Sequence, residues 1–318
     1  MKKIGSLKLA GELFLAPMAD YTNVAFRTLA KENGAALVYT ELISSKAILM
    51  KSKRTVGMLA VSDSEKPVFL QLFGSNPSDF KKAIEIVEKK FPENFVGYDL
   101  NSGCSVPKAI KGKYGSSIMN NPINVGEIIS AMKSATNKPI TIKMRLGLDK
   151  QTFLEVANEV EKANVDAITL HPRMGTQGYS GNADWTKIAL LREKVSVPLI
   201  GNGDIRSPED VLRMKKETKC DFEMIGRATM GDAFFFKQAN ALLLGKSIPL
   251  RTKKEILLEA KRFLELVKEF SLKPNDARPY FISLAKGFEG AAVLRNKFGL
   301  SKTIEEMEKH LLEYFSDN

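Results

Sequence analysis

The sequence predicts an α/β protein: a (β/α)8 TIM barrel followed by a small C-terminal helical domain. Three observations carry this. Short apolar runs alternate with amphipathic segments along most of the chain. Eight such runs fall within about 230 residues, the number and span that a closed barrel needs. Polar residues gather where the runs end, at Asp20, Glu41, Gln71, Asn101, Lys143, His171, Asn202 and Arg227. Barrel proteins build their sites on that rim. A doubly wound sheet is the alternative. It usually needs fewer strands, and no GxGxxG follows the first run.

The runs, in order, are LFLAP (13–17), ALVYTE (36–41), PVFLQLFG (67–74), VGYDLN (96–101), PITIKM (139–144), DAITLH (166–171), VPLIGN (197–202) and FEMIGR (222–227). They lack strict alternation, as parallel strands covered on both faces do. Helices are predicted at 23–33, 77–90, 122–136, 151–163 and 208–217. Ser207-Pro208-Glu209 opens the last of these, with a capping residue before proline. Gly245-Lys246-Ser247-Ile248-Pro249 reads as a connector, dividing a catalytic unit (1–245) from a helical unit (251–318). The latter is expected to hold two or three helices, at about 252–271, 277–294 and 303–315.

Composition narrows the class. Of 318 residues, 44% are hydrophobic and 27% charged, which excludes a disordered chain or a coiled-coil rod. No apolar run approaches a membrane span, and Lys8 and Glu12 interrupt the N-terminal segment, so a cytoplasmic protein is expected. Two cysteines make no disulfide framework, and two isolated histidines suggest no metal site. The net charge of +11 favours a polyanionic partner such as nucleic acid.

Several residues point to chemistry. In DLNSGCSVP (99–107), glycine beside Cys104 lets the chain turn and present the thiol to a cavity. Cys104 is then a nucleophile or an acid; the plain alternative is a half-buried thiol in a polar turn. A proton donor must stay protonated, whereas Lys108, Lys111 and Lys113 favour thiolate. Cys220 reads as a packing cysteine. Lys143 can set one positive charge against an electron-rich ring or a phosphate. His171 shares the same rim level. Glycines in Gly201-Asn202-Gly203-Asp204 and Gly226-Arg227 let backbone N–H groups approach an anion, at the two strands where barrels often bind phosphate. Gln71 is an amide suited to a planar heterocycle.

These residues resemble those of the tRNA-dihydrouridine synthases. The pieces are APMADYTNVAFR (16–27), TELIS (40–44), FLQLFGSNP (69–77), DLNSGC (99–104), IKMRLG (142–147), LHPRMGTQGYSGNADW (170–185), IGNGDI (200–205), MIGRATMG (224–231) and KGFEGAAVLR (286–295). Their shared order spans the barrel and reaches into the tail. The resemblance implies an FMN enzyme that saturates the C5–C6 bond of particular tRNA uridines, with NADPH as the usual reductant. It implies that Pro17, Met18 and Ala19 line the flavin and that Gln71 and Lys143 address its ring. Asn202, Gly203, Asp204, Gly226 and Arg227 would surround its phosphate, and His171 would touch flavin or base. Cys104 matches the family's proton donor, and Asn101 and Arg173 would hold the flipped uracil. One departure is Ser105, where the family commonly has proline; the loop 104–118, with Gly112 and Gly115 as hinges, is expected to follow its own path as a lid. Candidate tRNA phosphate contacts are Lys46, Lys51, Lys53, Arg54, Lys108, Lys111, Lys113, Lys286 and Arg295. A monomer is expected. The alternatives are a small-molecule pyrimidine flavin reductase resembling dihydroorotate dehydrogenase, and a tRNA-binding protein with a purely structural flavin.

Overall fold

A computed structural model describes residues 2–316. Eight parallel strands form the barrel: β1 (Leu13–Leu15), β2 (Leu37–Tyr39), β3 (Val68–Phe73), β4 (Gly97–Ser102), β5 (Ile140–Met144), β6 (Ala167–Leu170), β7 (Leu199–Asn202) and β8 (Phe222–Ile225). Each pairs with the next, and β8 pairs with β1 through Met224 and Phe14, which closes the sheet. All but β4 are shorter than the apolar runs; β4 keeps the run's six residues but is set one residue later, ending at Ser102.

Helices α1 (Val24–Glu32), α2 (Pro77–Lys90), α3 (Pro122–Lys133), α4 (Phe153–Lys162), α5 (Thr186–Arg192), α6 (Pro208–Thr218) and α7 (Phe235–Leu243) cover the outside. Three of them open the way the sequence dictates, with proline in the first turn after Asn76, Asn121 or Ser207. Between β2 and β3 lie two short helices, Ser45–Leu49 and Lys53–Gly57, and a two-residue strand, Ile43–Ser44, that pairs with the end of β3.

The barrel interior is a layer of large apolar side chains, among them Phe14, Tyr39, Phe69, Ile200, Phe222 and Met224. An antiparallel hairpin, Lys3–Ile4 with Leu7–Lys8, adds Ile4 and Leu9 to that layer and plugs the end opposite the site. Sequence periodicity gives no sign of this plug, since each of its strands has two residues.

Among the described residues the tail holds four helices where two or three are expected: α8 (Lys253–Glu269), α9 (Pro274–Leu284), α10 (Ala291–Leu300) and α11 (Ile304–Ser316). The segment 277–294 does not run through as one helix. It breaks where Gly287 (φ 85°) and Gly290 (φ 65°) take left-handed backbone. Phe263 stacks on Tyr280 with ring centres 4.0 Å apart, and Tyr280 reaches Phe26 of α1. Buried Glu259 accepts from the N–H groups of Ala233 (3.2 Å) and Phe234 (2.7 Å) and from the Tyr280 hydroxyl (3.0 Å). The chain after β8 is thereby tied to α8 and α9. Among the described residues no helix is long and apolar enough to cross a membrane, and no group of three or more His, Cys, Asp or Glu is placed to hold a metal ion.

Candidate active site

Strand register builds the site's floor. Gln71 pairs with Asp99 and Asp99 with Thr141, so neighbouring strands bring these three side chains together. Thr141 donates its hydroxyl to Asp99 Oδ1 at 2.6 Å, and Gln71 Nε2 donates to Asp99 Oδ2 at 2.8 Å. Two residues further along β4, and so on the same face, Asn101 donates from Nδ2 to Gln71 Oε1 at 2.8 Å. Asn101 Oδ1 in turn accepts from the N–H groups of Cys104 (3.0 Å) and Gly103 (3.3 Å). Asp99, Gln71 and Thr141 are fully buried. Burial pushes the Asp99 carboxyl up to about 6, against the pull of its two hydrogen bonds and of Lys143. Sequence reading singles out neither Asp99 nor Thr141; DLNSGC contains the first, but only the register supplies its partners.

Cys104 is half-buried on the rim. Both of its backbone groups are held: its N–H by Asn101, its C=O by the N–H (2.8 Å) and hydroxyl (3.1 Å) of Ser116. The segment 104–118 is therefore folded, with a short helix at Pro107–Lys111 and a 3-10 turn from Gly115. Pro107 starts that helix, two residues after Ser105. A Cβ at Gly115 would sit 2.3 Å from the Cys104 carbonyl oxygen, so the segment lies directly on the cysteine. Cys220 is buried, with its thiol packed against Gly201 and Glu223, as a packing residue.

Beside this floor opens a cleft of about 340 Å³, within the range of small-molecule and cofactor sites. Ala16, Pro17, Met18 and Met224 give it an apolar wall. Lys143, Arg206 and Arg227 give it positive charge, and Gly203 and Gly226 expose backbone. His171, Asn202 and Asp204 also line it. Ala19 lies exposed outside it, and Gln71 lies buried beyond its lining. Burial, then the neighbouring Arg145, lowers the Lys143 ammonium to about 8, with Asp99 and Cys104 opposing.

Two buried arginines hold the loop 172–184 over the cleft. Arg145 donates to the carbonyls of Met174 and Gly178, each at 2.8 Å. Arg173, fully buried, grips both Asp204 oxygens (3.0 and 2.7 Å) and the Gly181 carbonyl (2.7 Å). The guanidinium assigned to a uracil by the sequence reading thus faces Asp204 and the loop. Arg173 Nη1 also lies 3.1 Å from His171 Nε2. Arginine only donates, so Nε2 accepts and the other ring nitrogen carries the proton. Burial, together with Lys143, Arg145, Arg173 and Arg227, holds His171 well below its ordinary range and keeps it neutral.

Asp204 is the hub of the cleft's far end. It also accepts from the Ala183 N–H (2.7 Å) and Arg227 (3.1 Å). Burial pushes its carboxyl up, but the Ala183 N–H, Arg173 and Arg206 outweigh that and keep it below the usual range. The carboxylate therefore aims cations at the cleft. Asn202 donates to the Met224 carbonyl (2.7 Å), joining β7 to β8. Gly203 has φ 108°, and a Cβ there would meet the His171 ring at 2.6 Å. Tyr179, 64% exposed, caps the cleft between Arg227 (4.5 Å from its ring centre) and Arg145 (5.7 Å). Arg145, Arg206 and Tyr179 go unassigned by sequence reading, although the motifs around them hold two of the three.

Residues 14–318 match the dihydrouridine synthase family. A relative from Aquifex aeolicus (strain VF5), described as a "probable tRNA-dihydrouridine synthase", is 32% identical over 309 residues, covering 95% of this chain and 96% of its own. One of the same description from Rickettsia prowazekii (strain Madrid E) is 31% identical, covering 99% and 98%. Among solved structures, histamine dehydrogenase from Rhizobium sp. 4-9 superposes with a TM-score of 0.59 at 17% identity; the match covers 83% of this chain and spans only 50% of that longer one. The old yellow enzyme homologue from Zymomonas mobilis gives 0.53 at 11% identity, covering 80% and 94%. These two likenesses establish the barrel fold.

Proposed function

The chain belongs to the dihydrouridine synthase family, and on that premise we propose that it is a tRNA-dihydrouridine synthase, working as a cytoplasmic monomer with FMN and NADPH. The cleft fits FMN on its own chemistry. It joins an apolar wall for a flat ring to two cations at the end where β7 and β8 expose glycine backbone. In this reading Pro17 and Met18 flank the ring, Lys143 and neutral His171 meet its polar edge, and Gln71, buried behind the lining, acts only through its bond to Asn101. Asn202, Gly203, Gly226 and Arg227 surround the phosphate, with Asp204 aiming the arginine. When bound and reduced, FMN supplies the hydride that goes to uracil C6.

The chain's residues do the rest. Cys104 gives its Sγ proton to C5, and the thiolate left behind recovers a proton from solvent, which its half-buried position allows. Asn101 keeps one Nδ2 proton beyond its bond to Gln71, and that proton suits a uracil oxygen. Arg173 serves the uracil indirectly, by fixing His171 and the loop over the cleft. The base must leave the tRNA fold to reach this depth. Exposed Lys46, Lys51, Lys53, Arg54, Lys108, Lys111, Lys113 and Lys286, with half-buried Arg295, are the phosphate contacts, and residues 251–318 form the tRNA-binding unit beside the catalytic unit 1–245.

The observation that carries the reading is a solvent-reachable thiol fixed by both backbone groups beside a cationic cleft. The test is mass spectrometry of unmodified tRNA incubated with flavin-loaded protein and NADPH. Dihydrouridine formed by the wild type, and nearly lost with Cys104→Ala, is expected. Reduction of free pyrimidines with none in tRNA would overturn the reading in favour of a small-molecule reductase.

A further inference from the structure

Asp99 has no role in the reaction as drawn, yet it ends the hydrogen-bond chain that leads to Cys104. An ionised carboxylate accepts hydrogen bonds and cannot donate them. Thr141 must therefore donate to it, and Gln71 must turn its NH2 toward it, as both do. That leaves Gln71 Oε1 facing Asn101, which must answer with Nδ2. The Oδ1 of Asn101 is then the atom facing the N–H groups of Gly103 and Cys104. The Asp99 acceptor at one end and the backbone N–H groups of Gly103 and Cys104 at the other thus demand the same orientation of two amides in series. We propose that Asp99 is a positioning residue whose acceptor oxygen holds Gln71, and through it Asn101, and so anchors the turn that presents Cys104.

The proposal rests on the reading of Cys104 as the proton donor. The charge is in place at neutral pH, since burial raises the carboxyl only to about 6. The groups facing it are Gln71 on β3, Thr141 and the Lys143 ammonium on β5, and the Tyr39 hydroxyl on β2.

Asp99→Leu keeps roughly the volume and removes both acceptor oxygens. The Gln71 NH2 then loses its partner, its amide is free to rotate, and Asn101 loses the fixed group that holds it under the turn. Asp99→Asn removes the charge and keeps an acceptor. Its NH2 turns to the Thr141 hydroxyl, which accepts, and its oxygen still takes the Gln71 NH2, so every bond re-forms in the same direction.

The readout is backbone amide hydrogen exchange of the peptide containing Gly103 and Cys104, in the full-length protein at pH 7.5. Asp99→Leu should speed exchange there by about tenfold, the loss of one hydrogen bond. Asp99→Asn should stay within about twofold of wild type. Gln71→Met cuts the chain in the middle with Asp99 intact and should give the same increase as Asp99→Leu; it serves as the reading should Asp99→Leu fail to fold. Unchanged exchange in the folded Asp99→Leu protein, or an equal increase in Asp99→Asn, overturns the proposal. The measurement needs neither tRNA nor turnover. A wild type that makes no dihydrouridine would sink the functional reading and leave this result to stand or fall alone.

Discussion

If Lys143 engages FMN as proposed, it makes the cleft's affinity for the cofactor depend on pH in a calculable way. Its ammonium is lowered to about 8, first by burial and then by Arg145. It is therefore about nine-tenths cationic at pH 7 and about one-tenth cationic at pH 9. If only the cationic form engages FMN, the apparent dissociation constant scales with the reciprocal of that fraction. Affinity should fall about tenfold between pH 7 and 9, or about 1.4 kcal/mol. Below pH 7 the curve should flatten, because the lysine is already charged. The assay is titration of the apoprotein with FMN, followed by flavin fluorescence at several pH values and constant ionic strength. Lys143→Gln should bind more weakly at pH 7 and show no such fall. Equal wild-type affinity at pH 7 and 9, or the same fall in Lys143→Gln, would refute the assignment of this charge to the cofactor.

Three further outcomes are expected. Glu223 is fully buried on β8, and burial, opposed by Lys215, raises its carboxyl from 4.5 to about 7. A raised carboxyl favours the folded state only while protonated, so wild-type stability should decline from about pH 4.5 to pH 7 by about 3 kcal/mol. Glu223→Gln should lack that decline in urea unfolding at pH 5 and pH 8, and parallel pH profiles for the two proteins would contradict it. Arg173→Met leaves the half-buried Asp204 carboxylate without its main partner, although Asp204 keeps Ala183 and Arg227. The cost should be about 3 kcal/mol, and calorimetry should show Tm falling by about 6 °C; a fall under about 2 °C would mean the loop is held by other contacts. Gly203→Ala must fit a Cβ 2.6 Å from the His171 ring at φ 108°. Stability should drop by roughly 1–3 kcal/mol together with FMN affinity, and unchanged FMN binding would remove Gly203 from the cofactor site.

The element order follows from the sequence alone. Apolar runs bounded by polar rim residues mark the eight strands, and proline after Ser207 or Asn76 fixes where α6 and α2 begin. These are local signals, carried by residues that touch along the chain. They also put Lys143, His171, Asn202 and Arg227 at strand ends, and so on one rim. What each side chain faces is decided elsewhere. Gln71 finds Asp99 only because β3 and β4 pair in one register, and a shift of one residue would turn both to the other face. Arg173 reaches Asp204 across 31 positions only because the barrel closes and the loop folds back over it. The two-residue strands of the plug are too short for any periodicity, yet they fill a space that exists only once eight strands have met. Local patterning thus specifies the eight barrel strands, most of the helices around them and the residues on the rim, but neither the plug nor the break at Gly287 and Gly290. Register and closure decided which of those residues are free to act and which are committed to holding the others.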